Sequence, residues 1–146
     1  MQLTLFTDYG LRSLMYLAQN PDRLCSVKEI SEYYAISRHH LVKIIHRLAQ
    51  LGYIESTQGK GGGIKLAAPI DNLHLGDLVK KLEPNMTLVE CFDKKTNTCK
   101  ITNTCTLKHY LHEANEAFLK TLNQYTLSDT LNIKSNQPKK APNIIT

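Results

Sequence analysis

Two short helical periods split by a tight turn at Ala35-Ile36, a glycine-rich hairpin directly after them, and a late helical stripe from Leu107 to Tyr125 predict a mainly α-helical fold. The expected architecture is a winged helix-turn-helix with a two-stranded wing and a long C-terminal dimerisation helix. Four regions follow: a DNA-binding region over residues 1–83, a cysteine loop over 84–105, the long helix over 106–131 and a flexible tail over 132–146.

Helix one is expected to begin at a Thr7 cap, with Asp8 in the first turn and Leu11, Leu14, Met15, Leu17 and Ala18 on one side. Asn20-Pro21 ends it. Ser26 caps a second helix, and Glu29 three residues on completes a capping box, with Val27, Ile30 and Tyr34 facing inward. Ser37 caps a third, in which Leu41, Ile44, Ile45, Leu48 and Leu51 recur at helical spacing up to the stop at Gly52. The pair makes a helix-turn-helix, so Ser37, Arg38, His39, His40 and Lys43 at the start of its second helix are candidate major-groove contacts.

Residues 53–58 and 64–67 read as strands joined by Gly59, Lys60 and Gly61 to Gly63. A hairpin in this position is a wing. Its glycines let the backbone approach a nucleic acid, with Lys60, Gly61 and Gly62 at the tip. A phosphate-binding loop of nucleotidases is excluded by the missing G-x4-G-K-[ST] and because these glycines open no helix. Pro69 ends the hairpin, and Leu75, Leu78, Val79 and Leu82 mark a short amphipathic helix closed by Glu83-Pro84. The last helix is expected from a Thr106 cap to Tyr125, about 30 Å at 1.5 Å per residue. Its stripe of Leu107, Leu111, Ala114, Phe118, Leu122 and Tyr125 is longer than such a domain needs for its own core, which points to a second subunit.

Between the two last helices lie Cys91, Cys99 and Cys105, three of the chain's 4 cysteines. The segment is rich in Lys, Asn and Thr and has no periodicity, so folding alone fixes it weakly. Thiolates favour soft transition metals, and the economical reading is a cysteine-ligated centre of the iron-sulfur kind. Zinc, a disulfide with one thiol left over, and three unpaired thiols remain open. The wide gaps disfavour zinc, whose sites usually contain a close C-x2-C to C-x4-C pair. Cys25, far from this segment, reads as a small, partly buried residue.

The chain has 146 residues, 42% hydrophobic and 21% charged, which fits one ordinary globular domain. No signal peptide or membrane-length run is present in the sequence, so a cytoplasmic location is expected. The formal charge of +5 is unevenly placed: between Ser37 and Ile70 Glu55 is the sole acid, beside Arg38, Lys43, Arg47, Lys60 and Lys65. That is the footprint of a phosphate-backbone binder. Catalysis finds no nucleophile elbow and no H-E-x-x-H, and the expectation is a non-enzyme.

The segments LTLFTDYGLRSLMYLA, ISRHHLVKIIHRLAQLGYI and GKGGGIKLA, with the late triple-cysteine segment, resemble the iron-sulfur winged-helix transcriptional regulator family, its nitric-oxide-sensing repressors in particular. The resemblance runs to about Leu131. It implies that Cys91, Cys99 and Cys105 ligate an iron-sulfur cluster, [4Fe-4S] in preference to [2Fe-2S], and that Asp8 of the other subunit is the fourth ligand. It further implies a homodimer on double-stranded operator DNA, released when nitric oxide attacks the cluster. The seven-residue gap between the first two cysteines is a small departure from the family's intervals. Two alternatives stand beside this reading: a relative sensing cluster supply or redox state, and a zinc-bound or metal-free winged-helix regulator.

Overall fold

The structure is a computed structural model, and it describes residues 2–131; the expected tail lies outside the described residues. Five α-helices and one antiparallel two-stranded sheet make it up: α1 (Leu5–Ala18), α2 (Val27–Tyr33), α3 (Arg38–Gln50), β1 (Ile54–Thr57), β2 (Gly63–Leu66), α4 (Leu75–Leu82) and α5 (Thr106–Leu122). The winged helix-turn-helix expected from the sequence is present. Leu14, Ile30, Leu41, Leu48 and Leu78, one or two from each of the first four helices, are fully buried together in one core.

Helix α1 starts three residues before the expected position, because Thr4 and not Thr7 is its cap; the Thr4 hydroxyl accepts the Thr7 backbone N–H at 3.3 Å. Thr7 is instead buried and donates its hydroxyl to Glu83 Oε2 at 2.7 Å. The same oxygen accepts from the Thr4 backbone N–H at 3.0 Å and the Thr4 hydroxyl at 3.1 Å. Glu83 is the C-cap residue of α4, so one carboxylate ties the end of α4 to the positive end of α1.

The capping box at Ser26 and Glu29 forms as expected. Glu29 also accepts from the Tyr16 hydroxyl at 2.6 Å and from Arg23, fastening α2 to α1. The Arg23 guanidinium first, and then the Tyr16 hydroxyl, hold the Glu29 carboxyl far below its ordinary range, at about 2. After α2 the chain turns through Ala35, whose φ of 53° is left-handed, and buries Ile36, aiming α3 across α2.

The wing pairs Ile54 with Leu66 through Thr57 with Gly63. A third backbone segment joins it, which the sequence did not announce: Cys25 N–H donates to Ile64 O at 3.0 Å, and Ile64 N–H donates to Cys25 O at 2.8 Å. Cys25 is therefore fully buried, not partly, and desolvation raises its thiol pKa, a setting that suits an inert packing residue.

Helix α5 spans 17 residues, about 25 Å, and stops earlier than expected at Asn123. The Asn123 side chain accepts the Asp77 backbone N–H at 2.8 Å and donates to Asp77 Oδ1 at 3.2 Å, which caps the start of α4. Gly76 permits this crossing, since a Cβ there would lie 2.5 Å from Leu119 O. Beyond it, Leu75 N–H bonds Tyr125 O at 2.9 Å, Leu127 N–H bonds Leu73 O at 2.8 Å, and Leu127 enters the core. The end of α5 is thus clamped to the reading head.

Candidate nucleic-acid interface and metal centre

Ser37, Arg38, His39, His40 and Lys43 all lie exposed along the first half of α3, while Leu41, Ile44, Ile45 and Leu48 fill the core behind them. Ser37 holds the N-cap position, but its hydroxyl makes no cap hydrogen bond, contrary to the expected side-chain cap. That leaves a hydroxyl and exposed helix N–H groups at the positive end of α3, a suitable place for a phosphate. Among the described residues no acidic side chain pairs with Arg38, Lys43 or Lys60, whereas Lys65 pairs with Glu55 at 3.3 Å. The unpaired cations are the ones aimed outward from the helix start and the wing tip.

At that tip Gly59 and Gly61 have left-handed φ values of 101° and 84°, and Gly62 N–H closes the turn onto Gly59 O at 3.0 Å. A Cβ at Gly62 would sit 2.2 Å from Thr57 O. The hairpin therefore needs its glycines to turn at all, and Lys60 is carried exposed at its end.

The cysteine loop is built from turns. Cys91 lies in a short 3-10 turn, Glu90–Phe92, and Cys99 N–H donates to Asn97 Oδ1 at 3.0 Å. Cys105, in place of the expected Thr106, is the N-cap of α5, its Sγ accepting the Lys108 N–H at 3.4 Å. All three thiols are free and half-buried, so the disulfide alternative is not adopted. Among the described residues no three His, Cys, Asp or Glu side chains converge on a single metal-ion position. The donor chemistry nevertheless fits a thiolate-held cluster: three free thiols on one turn-rich segment, which a bound group can draw together at little cost in regular structure.

Asp8 does not approach these thiols within the chain. It stands in the first turn of α1, paired with Arg12 through Nε at 3.0 Å and NH2 at 2.8 Å. Arg12 was missed in the sequence, although its place one helical turn after Asp8 is a signal for such a pair.

The expected stripe on α5 divides in two. Leu111, Phe118, Leu122 and Tyr125 are half-buried against the same chain, while the face left bare is Leu107, Tyr110, Ala114, Ala117 and Thr121. Leu107 and Tyr110 are 61% and 60% exposed. The 3-4-3-4 spacing of this outward row is that of a helix-pairing seam, with two small residues at its middle.

This combination defines a winged-helix transcription regulator. The chain belongs to the Rrf2 family of iron-dependent transcriptional regulators, whose sequence profile matches residues 3–133. It is similar to the HTH-type transcriptional regulator NsrR of Bacillus subtilis, 46% identical over 137 residues, covering 93% of this chain and 94% of that protein. The regulator of the same name from Shouchella clausii is 49% identical over 130 residues, 88% of this chain and 87% of that one. Among solved structures, T. potens IscR superposes with a TM-score of 0.74 at 22% identity, over 97% of this chain and 93% of that one. CymR, the global cysteine regulator of B. subtilis, does so with a TM-score of 0.72 at 23% identity, over 89% and 95%. The protein is a transcriptional regulator and not an enzyme. Among the described residues no helix is long and apolar enough to cross a membrane.

Proposed function

We propose that this chain is a homodimeric repressor that reads operator DNA through α3 and the wing and releases it in response to nitric oxide. In this reading Cys91, Cys99 and Cys105 hold an iron-sulfur cluster, [4Fe-4S] in preference to [2Fe-2S], and Asp8 of a second copy completes its ligands. When bound, the cluster supplies iron that reacts directly with nitric oxide. The observation that carries the reading is three free thiols on the loop that ends as the cap of α5, in a chain of this family.

The chain's own residues supply the coupling. Cys105 ends the loop and starts α5; Asn123 and Asp77 join α5 to α4; Glu83 joins α4 to Thr4 and Thr7 of α1. Helix α1 packs on α3, so a change of loop position reaches the reading helix through three joints. To act as a ligand Asp8 must leave Arg12, and an exposed ion pair of this kind is worth only about 0–1 kcal/mol. Two α3 helices must sit about 34–36 Å apart, or a multiple of that, to read two half-sites, so small displacements suffice to lose the operator.

Anaerobic purification tests this. Expected are a brown protein with iron and acid-labile sulfide, and operator release in a gel shift over the same nitric oxide titration that bleaches the visible spectrum. Release by oxidant or by iron depletion, with nitric oxide inert, would instead assign a redox or cluster-supply sensor. A colourless protein that still holds the operator would favour the zinc-bound or metal-free regulator.

A further inference from the structure

Helices α1 and α3 leave between them an open cavity of about 500 Å³ that the reading above does not use. Its walls are Leu5, Phe6, Tyr9 and Ile44, and Lys43 and His40 line it as well. No acidic residue lines it. Leu5 is 61% exposed at its edge, an unusual position for a large apolar side chain that packs on nothing outside. Sites for small molecules are commonly about 300–1,000 Å³, mostly apolar, with a few polar groups that fix orientation.

We propose that this cavity binds a small amphipathic anion, its apolar body against Leu5, Phe6, Tyr9 and Ile44 and its anionic head at Lys43 and His40. The choice of an anion follows from the lining: one ammonium and one imidazole, no carboxylate, and no acidic partner for Lys43 among the described residues. The same two side chains stand on the exposed start of α3, where the proposed function places DNA contacts. The occupant and the operator therefore compete for them, which gives the regulator a second chemical input beside the loop. Only this competition rests on the DNA reading; ligand binding stands by itself.

The test uses the full chain, with 8-anilinonaphthalene-1-sulfonate as fluorescent probe and decanoate, below its micellar concentration, as displacing anion. Saturable probe binding is expected, displaced by decanoate and not by a cationic amphiphile of equal chain length. Leu5→Asp places a negative charge at the exposed edge and suits a first helical turn, so the fold is kept. This variant is expected to lose at least about tenfold in probe affinity, and Lys43→Ala about tenfold. Saturating decanoate should weaken operator binding of the native chain and leave that of Leu5→Asp unchanged. Probe affinity indifferent to Leu5→Asp, equal displacement by the cation, or binding seen only when the protein is diluted to monomer would overturn the proposal, the last by showing that a second copy fills the cavity. A chain that binds the probe as described but never binds operator would count against the DNA reading alone.

Discussion

The reading head and the cysteine loop are built by opposite means. In the head, apolar side chains from four helices close one core, and Thr4, Ser26, Glu29, Glu83 and Asn123 satisfy helix ends with defined partners. In residues 84–105 there is one 3-10 turn, and hydrogen bonds run mostly between near neighbours, such as Asn97 to Thr102 at 2.9 Å and Thr102 to Cys99 O at 2.7 Å. The head carries its own reason to fold. The loop carries ligands, and its geometry is left for a bound group to decide, which is the division of labour a sensor requires.

The comparison breaks first at its largest expected effect. Leu78→Ala empties a fully buried site in the head and should cost about 2–5 kcal/mol in denaturant unfolding. Cys99→Ala, measured on cluster-free protein, should stay within about 0.5 kcal/mol of the parent and yet lose all bound iron. Equal destabilisation by the two would mean that the loop is part of the folded core.

The next effect concerns assembly. Ala117→Glu puts charge on the bare face of α5, while Phe118→Glu puts it on the face already half-buried against its own chain. Sedimentation at micromolar protein is expected to show folded monomers for the first. For the second, loss of stability comes first, because the charge enters the contact of α5 with its own chain. A surviving Ala117→Glu dimer would move the seam elsewhere.

A smaller effect separates the regions by pH. The Glu29 carboxyl is lowered to about 2 in the folded chain from an ordinary value of 4.5, so its contribution to stability is complete above the ordinary value and disappears as pH falls toward 2. Melting temperatures of the native chain should therefore fall more steeply between about pH 4.5 and 2 than those of Glu29→Gln. Parallel curves would show that the Arg23–Glu29–Tyr16 joint does not hold α2 to α1 in solution. Smallest is Lys60→Ala at the wing, expected to lower the salt slope of operator binding by about one unit with the fold untouched.

What could be read in the sequence follows the same line. Helices α2, α3 and α4 and both strands were legible because apolar spacing, the Ser26–Glu29 box and Gly52 act locally. The cap of α1 was misplaced because Thr4 and Thr7 are equally good on local grounds, and the distant Glu83 takes the second for its own. The stop of α5 was missed for the same reason, since Asn123 serves the start of α4, 46 residues earlier. The wing's third segment at Cys25 is a backbone pairing with no side-chain signature. At the candidate site, each residue was legible as a type of ligand or contact, but the Asp8–Arg12 pair and the bare face of α5 are properties of neighbours in space.

The central claim is that the loop, once its thiols are engaged, sets the position of the reading helices. Operator affinity of anaerobically purified, cluster-loaded protein should be compared with that of the same preparation stripped of iron, at one salt concentration and with folding verified by circular dichroism. A loss of at least about 100-fold on stripping, the scale on which specific binding exceeds non-specific binding, is the expected result. Equal affinity of the two forms, both folded and dimeric, would contradict it.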